Sequence, residues 1–199
     1  VDVLVLTATP IPRTLVLTYF GDMDISELRE KPAGRQPIDT RTIPLDRLDE
    51  VEAAIGRALD EGKRAYWVCP LVEESEKSDL AAAEDRYEEL RRKFGDAVDL
   101  VHGKMKGAEK DAAMARFAAG ESRLLVATTV LEVGVDVPEA TIMVIEHAER
   151  FGLAQLHQLR GRVGRGFGKS TCLLLYRAPL GETAKARLAI LRDSEDGFR

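Results

Sequence analysis

The feature that most constrains this chain is a repeated exchange of hydrophobic period. Short apolar runs of strand character occupy residues 1–6, 39–45, 64–72, 97–101, 123–129, 140–145 and 170–176. Between them lie segments of roughly ten to fifteen residues whose apolar positions recur at helical spacing. Strands bounded by helices of that length cannot pair as hairpins. They require βαβ crossovers, and therefore a mostly parallel sheet covered on both faces. The predicted fold class is α/β. In such a sheet ligands gather at the carboxyl ends of the strands, which directs attention to His102-Gly103, Thr128-Thr129, Glu146-His147 and the segment that follows them.

Turn residues divide the pattern. Asp46 or Asp49 can cap a helix carrying Val51, Ile55 and Leu59, which stops at Gly62. Residues 73–79 read as an acidic loop, followed by a helix over residues 80–94 closed by Gly95. Gly107 precedes a helix carrying Met114 and Phe117 and closed by Gly120, and a last helix begins near Glu182. Residues 20–37, punctuated by Gly21, Pro32, Gly34 and Pro37, read as a linker with a boundary near 31–36. An opening on a core-type strand reads as a cut through a larger protein.

A net charge of −5 excludes a uniformly basic surface, so any polyanion site must be local. No apolar run approaches the roughly 20 residues that span a bilayer. Cys69 and Cys172 each sit inside a strand-like run, without metal-ligand spacing, and read as buried reduced thiols. His102, His147 and His157 are scattered, so no metal site is expected.

Residues 158–165, Gln-Leu-Arg-Gly-Arg-Val-Gly-Arg, carry the densest local chemistry. Read as a helix together with the preceding residues 151–157, they place Leu156, Leu159 and Val163 on one face and Gln158, Arg162 and Arg165 on another. Gly161 and Gly164 would each cost about 1 kcal/mol in that helix. Glycine there implies close approach to the backbone, and paired guanidinium groups suit a phosphate. A solvated arginine face is the plainer alternative.

These residues carry a family resemblance. Residues 127–138 (Ala-Thr-Thr-Val-Leu-Glu-Val-Gly-Val-Asp-Val-Pro) resemble motif V of superfamily-two helicases, residues 158–165 resemble motif VI, and residues 7–10 (Thr-Ala-Thr-Pro) resemble motif III. The longer string over residues 145–165 is similar to the RecG family of branch-migration DNA helicases, with the Mfd transcription-repair translocases as nearest relatives. The resemblance covers essentially the whole chain and is densest over residues 124–191.

The resemblance implies a RecA-like three-layer α/β/α domain, the second of two that close over ATP. Arg162 and Arg165 then match arginine fingers that neutralise charge on the transferred phosphoryl group. Gln158 helps position them. Gly134 and Asp136 match positions near the nucleotide, where the carboxylate takes a sugar hydroxyl or holds a motif VI arginine. Thr128 and Thr129 match residues touching the nucleic-acid backbone, and His102-Gly103 matches a turn beside it. Thr7, Thr9 and Arg13 match motif III, which couples ATP to DNA movement. Arg187 matches an arginine at the start of a translocation hairpin, with an exposed basic helix end as the alternative account. Arg160, Lys104 and Lys106 are further basic residues that could meet phosphates or simply be solvated.

The implied organisation is a tail of the first motor domain and linker (1–35), the helicase C-terminal domain (36–180) and the start of a helical hairpin (181–199). ATP and Mg2+ would be held mainly by an adjoining first motor domain, because these residues contain no G-x-x-x-x-G-K-[ST] loop and no acidic metal-binding strand. The implied partners are branched or duplex DNA and the first motor and wedge domains in cis. The implied setting is the bacterial cytoplasm, in association with the nucleoid. The competing expectations are an Mfd-like translocase and a non-enzymatic RecA-like module that binds nucleic acid or protein.

Overall fold

A computed structural model describes residues 36–70, 76–128, 137–166 and 168–194, with the backbone alone for 76–79. The motif III residues Thr7, Thr9 and Arg13, and the motif V residues Thr129, Gly134 and Asp136, lie outside the described residues.

Six strands form one sheet: β1 (Ile38–Pro44), β2 (Arg64–Val68), β3 (Val98–Val101), β4 (Leu124–Ala127), β5 (Ala140–Ile145) and β6 (Ser170–Tyr176). Their order is β1-β6-β5-β2-β4-β3, and every neighbouring pair is parallel. The helices are α1 (Leu48–Asp60), α2 (Glu76–Phe94), α3 (Gly107–Ala119), α4 (Leu153–Arg160) and α5 (Glu182–Asp193).

Alternate residues of each central strand feed opposite cores, which is why the strands are apolar throughout rather than amphipathic. Tyr66, Val68, Leu125, Met143, Ile145, Cys172 and Leu174 meet α3, α4 and α5 through Ala113, Phe117, Leu156, Leu159, Leu188 and Leu191. Ala65, Trp67, Leu124, Val126, Val144, Leu173 and Leu175 meet α1 and α2 through Val51, Ile55, Leu59, Ala83 and Leu90. The result is the three-layer α/β/α sandwich that the alternating periods predict.

Three local expectations change. Neither Asp46 nor Asp49 caps α1. The cap position is Arg47, which makes no side-chain cap bond, and Asp49 instead lies in the first turn, where a negative charge complements the helix dipole. The acidic stretch before residue 80 is partly helical, because α2 starts at Glu76. Acidic residues favour a helix amino terminus for the same electrostatic reason.

The third change concerns α4, which ends at Arg160 rather than running through 165. Gly161 caps it, and Gly164 adopts a left-handed conformation at φ 78°. The glycines therefore do not weaken a helix interior; they terminate one. A Cβ on Gly164 would lie 2.9 Å from Ile38 Cγ1, and one on Gly166 would lie 2.7 Å from the Pro138 carbonyl oxygen. Close backbone approach is real, but the approaching groups are the chain's own.

Candidate functional site

The carboxyl edge of the sheet presents polar groups at successive strand ends. Thr128 directly follows β4 and His102 follows β3, and the two strands pair at Val101 and Ala127. Both side chains are buried, and neither Thr128 Oγ1 nor His102 Nδ1 has a hydrogen-bond partner among the described residues. The His102 Nε2 side faces Glu84 at 3.8 Å, beyond hydrogen-bond reach. Gly103 turns outward and its carbonyl accepts from Lys110 Nζ at 2.9 Å. Buried polar atoms are ordinarily satisfied, so two orphans side by side mark this edge as a candidate contact surface.

Glu146 closes the same edge after β5, and here the pairing is complete. Its backbone N–H donates to the Val68 carbonyl at 2.8 Å. Its carboxylate accepts from Trp67 Nε1 at 2.8 Å and from Arg86 Nε and Nη2, each at 2.9 Å. Arg86 also pairs with Glu89 and lies 3.6 Å from Glu52, a fully enclosed acid that is held in turn by Lys93. Burial opposes the charge on Arg86, yet the hydrogen bonds and charge of Glu146, with Glu89 behind them, hold its pKa above the ordinary value. The cluster joins α1, α2, β2 and β5. Nothing in the sequence pairs residues 60 positions apart, and this network escaped prediction.

Both thiols are buried, which disfavours their thiolates. Burial, and then the charge of Glu146, push the Cys69 thiol well above the ordinary cysteine value. Burial likewise pushes Cys172 up to about 12, with the nearby charge of Arg160 opposing it. Both are free cysteines, as expected from their strand positions.

The arginine turn lies elsewhere. α4 starts near the carboxyl edge, where Gln155 Oε1 accepts from the Gly152 N–H at 3.1 Å, and it runs back toward the opposite edge. Gly164 packs against Ile38 and Ser170, the first residues of β1 and β6, and Gly166 against Pro138, just before β5. The turn carrying Arg162 and Arg165 thus sits at the amino edge of the sheet. This corrects the expectation that all the motif residues converge at the strands' carboxyl ends: a crossover helix must return the chain to the start of the next parallel strand. Thr128 and Val137 bracket the motif V segment, one at each edge.

Leu156, Leu159 and Val163 are buried as their spacing predicts. Gln158 and Arg162 are half-buried, whereas Arg165 is exposed and donates from Nε to the Gly161 carbonyl at 3.1 Å. Arg160 departs from its solvated expectation. It is buried, and its Nη1 donates to the carbonyls of Leu191 at 2.6 Å and Ser194 at 2.8 Å. Its Nη2 meets His157 Nδ1 at 3.2 Å, in line with a structural rather than catalytic histidine. Arg187 is not an exposed helix end either. It is half-buried and donates to the Glu149 carbonyl at 3.0 Å. His147, just upstream, is the non-glycine residue with positive φ among those described, at 51°. Its Nδ1 lies 3.0 Å from Glu149 Oε1.

An all-parallel three-layer domain, with a polar edge left unsatisfied among the described residues and a paired-arginine turn closing its last crossover helix, has the architecture of a RecA-like motor domain. Residues 46–167 match the helicase conserved C-terminal domain, and the chain belongs to that family. It is 56% identical over 197 residues to the ATP-dependent DNA helicase RecG of Escherichia coli K12, covering 98% of this chain and 28% of that protein. It is 52% identical over 199 residues to RecG of Bacillus subtilis strain 168, covering 99% of this chain and 29% of that one. The chain therefore spans less than a third of the length of these relatives.

Among solved structures, that of RecG bound to a three-way DNA junction superposes with a TM-score of 0.81 at 43% identity, over 96% of this chain and 25% of that chain. Dbp5 of Saccharomyces cerevisiae, solved with RNA and ADP BeF3, superposes at 0.60 with 18% identity, over 85% of this chain and 43% of that chain, which supports the fold alone. Among the described residues no helix is long and apolar enough to cross a membrane.

Proposed function

We propose that this chain is the second motor domain of an ATP-dependent DNA helicase-translocase of the RecG type. The whole protein would act on branched or duplex DNA in fork reversal, branch migration, recombination and repair. The observation that carries this is the 56% identity to RecG of Escherichia coli K12 over 98% of the chain, on a domain whose own sequence lacks a phosphate-binding loop.

ATP is the substrate that supplies the phosphoryl group. The turn fits its phosphates: Gly164 lets it pack closely against Ile38 and Ser170, and Arg165 reaches solvent. Arg162 and Arg165 neutralise charge developing on the transferred group when an adjoining first motor domain closes over it. Gln158, on the turn of α4 before them, holds their approach. Gly134 and Asp136 lie beside the nucleotide in this scheme, while Mg2+ belongs to the adjoining domain. At the opposite edge, Thr128, Thr129, His102 and Gly103 receive the DNA backbone. Motif V, bracketed by residues at both edges, relays between the two. Thr7, Thr9, Arg13 and Arg187 serve coupling and translocation.

The purified 199-residue chain should show negligible ATPase with or without branched DNA, and the full-length protein should be DNA-stimulated. Turnover by the chain alone at helicase rates would overturn the proposal.

The Thr128 hydroxyl, without a hydrogen-bond partner among the described residues, gives a separate prediction. A buried unsatisfied polar group costs about 1–3 kcal/mol, so Thr128→Val should raise or preserve the unfolding midpoint of the isolated chain. In the full-length protein the same change should weaken DNA-stimulated ATPase, because the hydroxyl is kept for the nucleic acid. A clear loss of stability in thermal denaturation would show that the hydroxyl is satisfied within the domain.

A further inference from the structure

Arg160 stands inside the motif VI string, yet the structure turns it away from any phosphate. The residue is 5% exposed, and its guanidinium spends Nη1 on two carbonyls at the carboxyl end of α5. Those carbonyls are the ones a helix leaves without intrahelical partners. A cation there also complements the helix dipole.

The backbone of the same residue anchors the turn that follows. The Val163 N–H donates to the Arg160 carbonyl at 3.3 Å, the Arg162 N–H to Leu159 at 3.0 Å, and the Gly161 N–H to His157 at 2.9 Å. Arg165 then docks its Nε on the Gly161 carbonyl. One buried side chain therefore bolts the end of α4 to α5, and the turn bearing Arg162 and Arg165 hangs directly from that bolt. With Gly161 and Gly164 in the turn, the backbone there has little stiffness of its own.

We infer that Arg160 is a positioning residue for phosphoryl transfer: it acts on the nucleotide only through the placement of Arg162 and Arg165. This rests on the finger assignment above. A displacement of about 1 Å at a catalytic group can cost roughly 10²-fold in rate. Losing the bolt should therefore be felt mainly in kcat.

The test uses the full-length protein with branched DNA and four variants, Arg160→Ala, Arg160→Lys, Arg162→Ala and Arg64→Ala. Arg64 supplies the comparison, because its Nη1 donates in the same way to the Ala118 carbonyl at the end of α3, at 2.8 Å, and pairs with Glu139 at 3.5 Å, so it ties down a different helix end from that of α4. Arg160→Ala should lower kcat by about 100-fold with KM for ATP and DNA affinity little changed. Arg160→Lys, which keeps the charge and one donor, should recover part of it. Arg64→Ala should lower the unfolding midpoint without a matching fall in kcat.

If Arg160→Ala lowers only the midpoint and keeps kcat, as Arg64→Ala does, Arg160 is merely a helix cap and the inference fails while the finger assignment stands. If Arg162→Ala itself retains full ATPase, the finger assignment fails and the inference with it.

Discussion

Replacing Arg165 with alanine in the full-length protein should reduce ATP turnover by roughly 10³–10⁵-fold, the range spanned by arginine fingers, while this domain remains folded. Both halves of that expectation have a structural basis. Arg165 is exposed and contributes an Nε bond to the carbonyl of Gly161, a surface interaction of modest worth. Its value lies in the charge it delivers to a closed, water-poor site, where a preorganised cation stabilises the transition state far more than in bulk water. Steady-state ATPase with saturating branched DNA, set beside thermal unfolding of the isolated chain, measures the two effects separately. Full ATPase in the variant would remove Arg165 from the catalytic set.

The second large effect concerns stability. Arg86→Ala should destabilise the isolated domain by about 3–5 kcal/mol, the cost of removing one partner from a buried ion pair. The Arg86 side chain is 13% exposed, and it faces Glu146 at 10% and Glu52 at 3%. Alanine strands Glu146 with Trp67 Nε1 as its remaining strong donor. Trp67, the single tryptophan, hydrogen-bonds to Glu146 and lies 5.8 Å from the Arg86 guanidinium, measured to the ring centroid. Its fluorescence therefore reports on the network directly. Denaturant unfolding should show a lower midpoint together with a changed native emission spectrum. An unchanged midpoint would mean that the network contributes no net stability, as some buried ion pairs do not.

Much of the fold was legible because a strand buried on both faces leaves a continuous apolar signature. β5 and β6 fall at the predicted residues, and α5 begins at Glu182 as expected. The run over residues 64–72 was too long: β2 stops at Val68, although Cys69 still donates to the Ala127 carbonyl at 2.8 Å, and Pro70 has no N–H with which to extend the ladder. For α4, the spacing of Leu156, Leu159 and Val163 could not reveal where the helix ends. A turn that folds back under the domain buries Val163 as fully as another helical turn would.

The candidate site divides along the same line. Local sequence determined which groups are available: the Arg162 and Arg165 pair, the threonine and histidine at strand ends, and the glycines that end α4. Those are short-range properties, set by residue chemistry and spacing. Tertiary structure decided where each group faces. It sent the arginine turn to the amino edge and left Thr128 and His102 at the carboxyl edge, because parallel strands oblige every crossover to reverse direction. It also turned Arg160 inward and paired Glu146 with Arg86. Those partners meet only when α5 lies on α4 and α2 lies on β5, and no local pattern of residues encodes such long-range contacts.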